Sequence, residues 1–493
     1  MKRKTAILLA IASILTLNVA AVARDPLSFE GQSPKILFLT MPWGEEVTYY
    51  AYEGIYYVTN VADSTYQTLN YYVPAEKRGT EFAPILMRNY VGGYMAAEAR
   101  RPSATDATGR ALYEGYCVCI AGARGRDSEQ GGAFTGRAPA AILDLKAAVA
   151  YLHYNDHLMP GDANRIITDG TSAGGAMSAL LGMTGNHSLY RPLLKAMGAA
   201  DSRDDVFASA CYCPIIDLEH ADAAYEWTYQ CVDQATRGAS DEQMAIAAEL
   251  AAQFPQYINE LDIHDGEKQL TALNYRDYLK SFIIASAQRA RNEGVIIPDS
   301  LGFTFYAAAE RRGASADGTR PSRLKRMPRI AHADRQSEFV TDVDLDTYLR
   351  YVATRTPLKS TPAFDAVGVA GAMPTGENEL FGDASGSAVN FTAFSAAKSG
   401  QGSVTPEVEA NVKLMNPMAF FQYDTAQHRI ARFWYIRHGA ADRDTAFPVP
   451  INFATKLSNY GLNVDFALTW NRGHEGDYNL DDLFTWIALI TRP

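Results

Sequence analysis

The feature that most narrows what this chain can fold into is Gly170-Thr171-Ser172-Ala173-Gly174-Gly175. It follows a segment, Arg165 to Asp169, that reads as a strand and precedes a helical pattern beginning at Ala176. A G-x-S-x-G string alone is weak evidence, because a glycine-containing chain of this length produces it by chance. Between a strand and a helix it becomes specific. Only small neighbours permit a turn so sharp that it lifts a serine hydroxyl above the C-terminal edge of a parallel sheet. The next amide, Ala173 N–H, then points from a helix N-terminus toward a developing negative charge.

The flanking segments ask for such a sheet. Thr68 to Val73, Ala83 to Tyr90, Tyr113 to Ala121 and Phe207 to Ile216 read as strands, and Ala138 to His153 reads as a helix. From Asp217 the alternation gives way to helical patterns as far as about Met415, among them Asp241 to Phe254, Tyr275 to Glu293 and Leu345 to Ala353. The basic tract Arg311 to Arg335 and the small-residue segment Gly382 to Gly402 read as loops. Strand and helix then resume, with Arg432 to His438, Val449 to Tyr460, Val464 to Trp470 and Leu480 to Ile490. The expectation is one α/β core in two parts, residues 24–216 and 416–493, interrupted by a large, mainly helical lid insertion at 217–415, after the strand that follows the serine.

The N-terminus is read as separate from the fold. Lys2, Arg3 and Lys4, the apolar run Ala6 to Val19, and Ala21-Val22-Ala23 form the three parts of a Sec-type signal peptide cleaved after Ala23. The apolar run is short for a bilayer span, and no other stretch is long and apolar enough, so the expected product is secreted or periplasmic with no membrane span after cleavage. Removing the three leader cations takes the formal charge from −11 to −14, which excludes a basic nucleic-acid binder. The cysteines, Cys117, Cys119, Cys211, Cys213 and Cys231, are odd in number and read as small buried hydrophobes, with a disulfide between neighbouring strands left open. They lack metal-ligand spacing, and neither a metal nor another cofactor is expected.

A nucleophilic serine needs a base and an acid, which in a strand-turn-helix setting follow it in the order Ser, Asp or Glu, His. His474 lies between Gly473 and Glu475-Gly476, in the loop after the last strand, a position hard to explain by core packing. Asp442 comes first after the preceding strand and is preferred to Asp444, two positions on, and to Asp465, which lies inside a strand pattern. The second oxyanion donor is expected from Gly92 or Gly93, after an early strand, where glycine lets the backbone approach a reacting carbonyl.

Several motifs taken together carry a resemblance. The elbow, Leu218-Glu219-His220-Ala221-Asp222, Lys359-Ser360-Thr361-Pro362-Ala363-Phe364-Asp365, Glu377-Asn378-Glu379-Leu380-Phe381-Gly382, Asp442-Arg443-Asp444 and Gly473-His474-Glu475-Gly476 resemble the bacterial tannases (tannin acyl hydrolases) of the α/β-hydrolase superfamily. The likeness spans nearly the whole mature chain. It implies an α/β-hydrolase fold, a small-molecule galloyl ester as substrate, and a triad of Ser172, Asp442 and His474. It also implies that Lys359, Glu377 and Asp444 hold the galloyl hydroxyls, with Glu379 a rival for Glu377 because the segment after Lys359 is long. An esterase for feruloyl or other aromatic acids, a non-catalytic polyphenol- or sugar-binding protein on the same scaffold, and a serine peptidase are the competing readings.

Overall fold

The computed structural model describes residues 25–75, 82–307, 338–368 and 374–492. The signal-peptide reading and the basic tract Arg311 to Arg335 lie outside those residues. Nine strands form the central sheet: β1 Lys35–Thr40, β2 Glu46–Tyr56, β3 Thr68–Pro74, β4 Ile85–Arg88, β5 Cys117–Ala121, β6 Ile166–Thr171, β7 Ala208–Tyr212, β8 Phe433–Gly439 and β9 Asn463–Thr469. Their spatial order is β1-β2-β3-β5-β4-β6-β7-β8-β9. The first three and β5 pair antiparallel, and every pairing from β5 through β9 is parallel.

Parallel strands are covered on both faces, and period-two alternation sorts their side chains between two cores. Cys117 and Cys119 of β5, Met87 of β4, Cys211 of β7 and Trp434 and Ile436 of β8 face one core. Their neighbours Val118, Ile120, Leu86, Tyr212 and Tyr435 face the other. Helices α2 (Ala140–Tyr154), α3 (Ala173–Met183) and α9 (Pro448–Asn459) supply the first core, while α1 (Ala107–Tyr113) and α10 (Leu480–Ile490) supply the second. Each fully buried aliphatic side chain in these layers contributes about 1.5–3 kcal/mol. The result is the α/β-hydrolase fold.

Between β7 and β8 the chain builds α4 (Leu218–Tyr229), α5 (Asp241–Ala251), α6 (Tyr275–Asn292), α7 (Leu345–Arg355) and α8 (Pro406–Met415), with a hairpin pairing Phe303–Ala307 and Glu338–Val343. The helix expected over Asp241 to Phe254 stops at Ala251, and a second one, Phe254–Glu260, starts with Pro255 in its first turn. The segment Gly382 to Gly402, expected as loop, contains the helix Ala393–Lys398, capped by the Thr392 side chain. The strand expected from Tyr113 begins only at Cys117, because Ala107–Tyr113 is helical, capped by Asp106. All five thiols are free, so no disulfide joins the neighbouring strands. Among the described residues no helix is long and apolar enough to cross a membrane.

Candidate active site

The elbow at Ser172 follows from close packing of backbone. Ser172 is the single residue between β6 and α3, with φ 62° and ψ −124°. Strain of this kind costs on the order of 1–3 kcal/mol and persists only where the surroundings impose it. A Cβ on Gly170 would stand 2.3 Å from Gly174 O, and one on Gly174 would stand 2.8 Å from Val91 O. The turn therefore closes only with glycine at both positions. Ser172 N–H donates to Tyr212 O (2.9 Å), which ties the elbow to the end of β7.

Two loops from later strands reach this serine. His474 follows β9, and its Nε2 lies 2.7 Å from Ser172 Oγ. Its Nδ1 lies 2.8 Å from Asp442 Oδ2, in the loop after β8. Asp442 is fully buried, and its other oxygen accepts the Asp444 amide at 2.8 Å. Burial alone would push the Asp442 carboxyl up. The neighbouring His438 and His474, the His474 hydrogen bond and the Asp444 amide outweigh it and hold the group at about 2. Burial likewise pulls His474 down, but the charge and hydrogen bond of Asp442, helped by Asp444, leave it above the usual histidine value.

The loop after β4 closes the other side. Asn89 Nδ2 donates to Gly174 O (3.1 Å), and Tyr94 OH donates to Ile215 O (2.8 Å), so Gly92 and Gly93 are carried to the rim of the elbow. Arg126 Nε donates to Gly93 O at 2.8 Å and fixes that rim. Ala173 N–H, as the first amide of α3, has no acceptor within its own helix. Serine, imidazole, carboxylate and two candidate amide donors thus converge on one end of the sheet.

A family model described as BD-FAE matches residues 69–251. A tannin acyl hydrolase from Lactobacillus plantarum shares 36% identity at a TM-score of 0.80, over 94% of this chain and 99% of its own. A Fusobacterium nucleatum tannase shares 35% at 0.80, with the same coverage of 94% and 99%. This chain belongs to the tannase family. A further tannin acyl hydrolase structure, in complex with ethyl gallate, shares 36% identity at 0.80, again covering 94% and 99%. No curated protein matches the chain.

The remaining residues that the family resemblance singles out come from the segment between β7 and β8, apart from Asp444. One face of α4 organises them. Asp222 accepts the amides of Phe364 and Asp365 (both 2.9 Å), Tyr225 OH accepts the Lys359 amide (2.9 Å), and Glu226 accepts from Thr361 (2.8 Å). Positions i, i+3 and i+4 of one helix thus grip the whole Lys359 to Asp365 stretch. Asp365 in turn accepts from Asn378 (2.7 Å) and Asn390 (2.6 Å), which sets the short helix Gly376–Leu380 against it.

Lys359 places its ammonium 3.8 Å from the centre of the Phe364 ring, and its charge is felt by His474. Asp444 pairs with Arg443 at 2.8 Å and also acts on His474, though of the two aspartates it is Asp442 that bonds the imidazole. Glu377 is buried, and its charge reaches Tyr94, next to Gly93. Glu379 points to Arg126 and forms an ion pair with it. The two glutamates therefore separate: Glu379 fastens the short helix to the Gly93 loop, and Glu377 stands on the inner side of that contact.

Sequence reasoning missed several participants. His438 is buried with Nδ1 3.6 Å from Asp442 Oδ2; burial pulls its titration down, and the charge of Asp442 works against that pull. Tyr229 OH donates to the Asp442 carbonyl at 3.1 Å. Arg126 and Asn89 were also passed over, since each gains its role only from partners far along the chain. His438, at the end of a strand four positions before Asp442, was the one with a readable signal.

Proposed function

We propose that this protein is an exported serine esterase that hydrolyses the galloyl ester bonds of tannins through an acyl-enzyme. His474 Nε2 takes the Ser172 proton as Oγ attacks the ester carbonyl, and Asp442 keeps the imidazole in the tautomer that can accept it. Ala173 N–H and an N–H of Gly92 or Gly93 stabilise the oxyanion, a donor of this kind being worth roughly 3 kcal/mol in the transition state. His474 returns the proton to the leaving alcohol, then activates the water that releases gallate. The reaction needs no cofactor.

Lys359, Glu377 and Asp444 bond the three ring hydroxyls, and the segment 217–415 acts as the lid that forms the aromatic pocket over a core built from 24–216 and 416–493. A pocket made to bond hydroxyls rejects ligands lacking them by roughly 10⁴ or more, because its own polar groups are left unpaired. Residues 1–23 direct the chain out of the cytoplasm, to the periplasm or beyond.

The observation that carries this reading is the relay of 2.8 Å and 2.7 Å from Asp442 through His474 to Ser172 in a chain of the tannase family. The test is a panel of methyl esters given to the purified mature protein, with a fluorophosphonate probe alongside. Fast turnover of methyl gallate, slow turnover of ferulate and benzoate esters, and labelling at Ser172 are expected. Equal turnover of ferulate and gallate would make it a broader aromatic esterase; ligand binding without labelling would end the esterase reading.

A further inference from the structure

Helix α3 carries Ser172 at its start, and at its far end the chain brings together a second group of ionisable side chains. His187 lies in the turn after α3, while Asp424 and His428 lie in the stretch that returns to β8. His187 Nδ1 is 3.6 Å from one Asp424 oxygen, and His428 Nδ1 is 3.6 Å from the other. The three ligand-capable atoms all lie within 4.8 Å of one another.

The protonation pattern of this cluster is informative. His428 Nε2 lies 2.8 Å from the Met183 carbonyl, an acceptor only, so the proton sits on Nε2 and the Nδ1 lone pair is bare. That nitrogen is buried without a hydrogen-bond partner, facing a carboxylate. His187 Nδ1 stands 3.6 Å from the same carboxylate, and its lone pair is engaged only by a long bond of 3.3 Å from the Leu189 amide, which a metal ion would replace. The bare lone pair of His428, turned toward a carboxylate, is repelled unless a cation lies between them. We propose that His187, Asp424 and His428 form a binding site for a divalent transition-metal ion of the zinc class.

The chemistry matches. Zinc takes imidazole nitrogen and carboxylate oxygen at about 2.0–2.2 Å, which sets tetrahedral ligand atoms about 3.3–3.6 Å apart, as each histidine nitrogen stands from Asp424. A ligating histidine usually donates its other ring N–H to a carbonyl, which Met183 supplies to His428. Lys146, whose charge reaches His187, is held by Asp204 at 3.0 Å. Phe420, 4.8 Å from the His187 ring, walls one side, and the Asp424 side chain is 20% exposed, leaving a way in. A bound ion would pin the returning chain to the C-terminal end of α3.

The test is zinc itself, added to the full mature protein after treatment with a chelator. One equivalent should bind, raising Tm by several degrees, and cobalt should give the d–d absorption of a low-coordinate site. Asp424→Asn, a conservative change at an accessible position, should weaken zinc binding at least tenfold while leaving the metal-free Tm nearly unchanged; His428→Gln should do the same to binding. His474→Ala, which dismantles the separate cluster of Asp442, Asp444 and His474, should keep the full equivalent. Absence of zinc binding, binding undiminished in Asp424→Asn, or its loss in His474→Ala would each overturn the proposal.

Discussion

The groups at the sheet edge and those of the segment between β7 and β8 are held by different means. Ser172, Asp442 and His474 each lie within a few residues of the ends of β6, β8 and β9, so the backbone ladder sets where they stand. Lys359 and Glu377 stand where side chains put them, through bonds that converge on Asp222 and Asp365. Burial, then the charge of Asp365, pushes Asp222 up to about 7, so this anchor titrates within the physiological range. A ladder is cooperative and stiff, whereas a buried carboxylate network can be loosened by one proton or one substitution. On the proposed reading, bond breaking belongs to the rigid part and substrate choice to the adjustable part.

Substitutions put that division to the test. Ser172→Ala should lower kcat by about 10⁵ to 10⁶-fold on every ester, whatever its acid, measured by steady-state hydrolysis. Asp442→Asn should cost about 10⁴-fold, again without regard to substrate, because the imidazole loses its useful tautomer. Lys359→Ala should behave differently: activity on methyl gallate should fall about 10²-fold or more beyond the loss on a simple short-chain ester. Equal losses on both esters would remove the distinction between the two regions.

The pH profile links them. His474 works as a base only when neutral, and it is held above its usual value, so kcat/KM should fall as pH drops through a limb above the ordinary histidine range. Asp442 raises that limb and Lys359 lowers it, so Asp442→Asn should move it down and Lys359→Ala should move it up. A limb unmoved by Lys359→Ala would separate the ammonium from the catalytic base. The smallest effect is expected from Glu379→Gln, whose partly exposed pair with Arg126 should be worth less than about tenfold in activity.

The parallel sheet and the serine elbow were legible because each rests on local rules: apolar runs bounded by turn residues, and glycines where backbone crowds backbone. The opening hairpin of β1 and β2 was not. β1 has no fully buried residue, and its Ile36 and Phe38 are largely exposed, so alternation gives little sign of which face is buried. Helix α1 was hidden by Gly109, a poor helix former, present because any Cβ there would stand 2.2 Å from Ser103 O. Spacing alone does not show that Glu379 pairs with Arg126 while Glu377 is buried, since Arg126 lies far away in sequence.

Strands β7 and β8 are immediate neighbours in the sheet, paired from Ala208 with Phe433 to Tyr212 with Arg437, yet everything from α4 to α8 lies between them in sequence. The two ends of that excursion are therefore stitched side by side whatever lies in between. Since closing a longer loop costs only about 0.6 kcal/mol for each doubling, evolution or an engineer can exchange the excursion's contents at small thermodynamic expense. On the proposed reading, a graft from a relative that cuts at these two strands would bring a new taste for substrates, with Ser172, Asp442 and His474 still anchored at the strand ends and the Tyr229 contact to Asp442 to be matched.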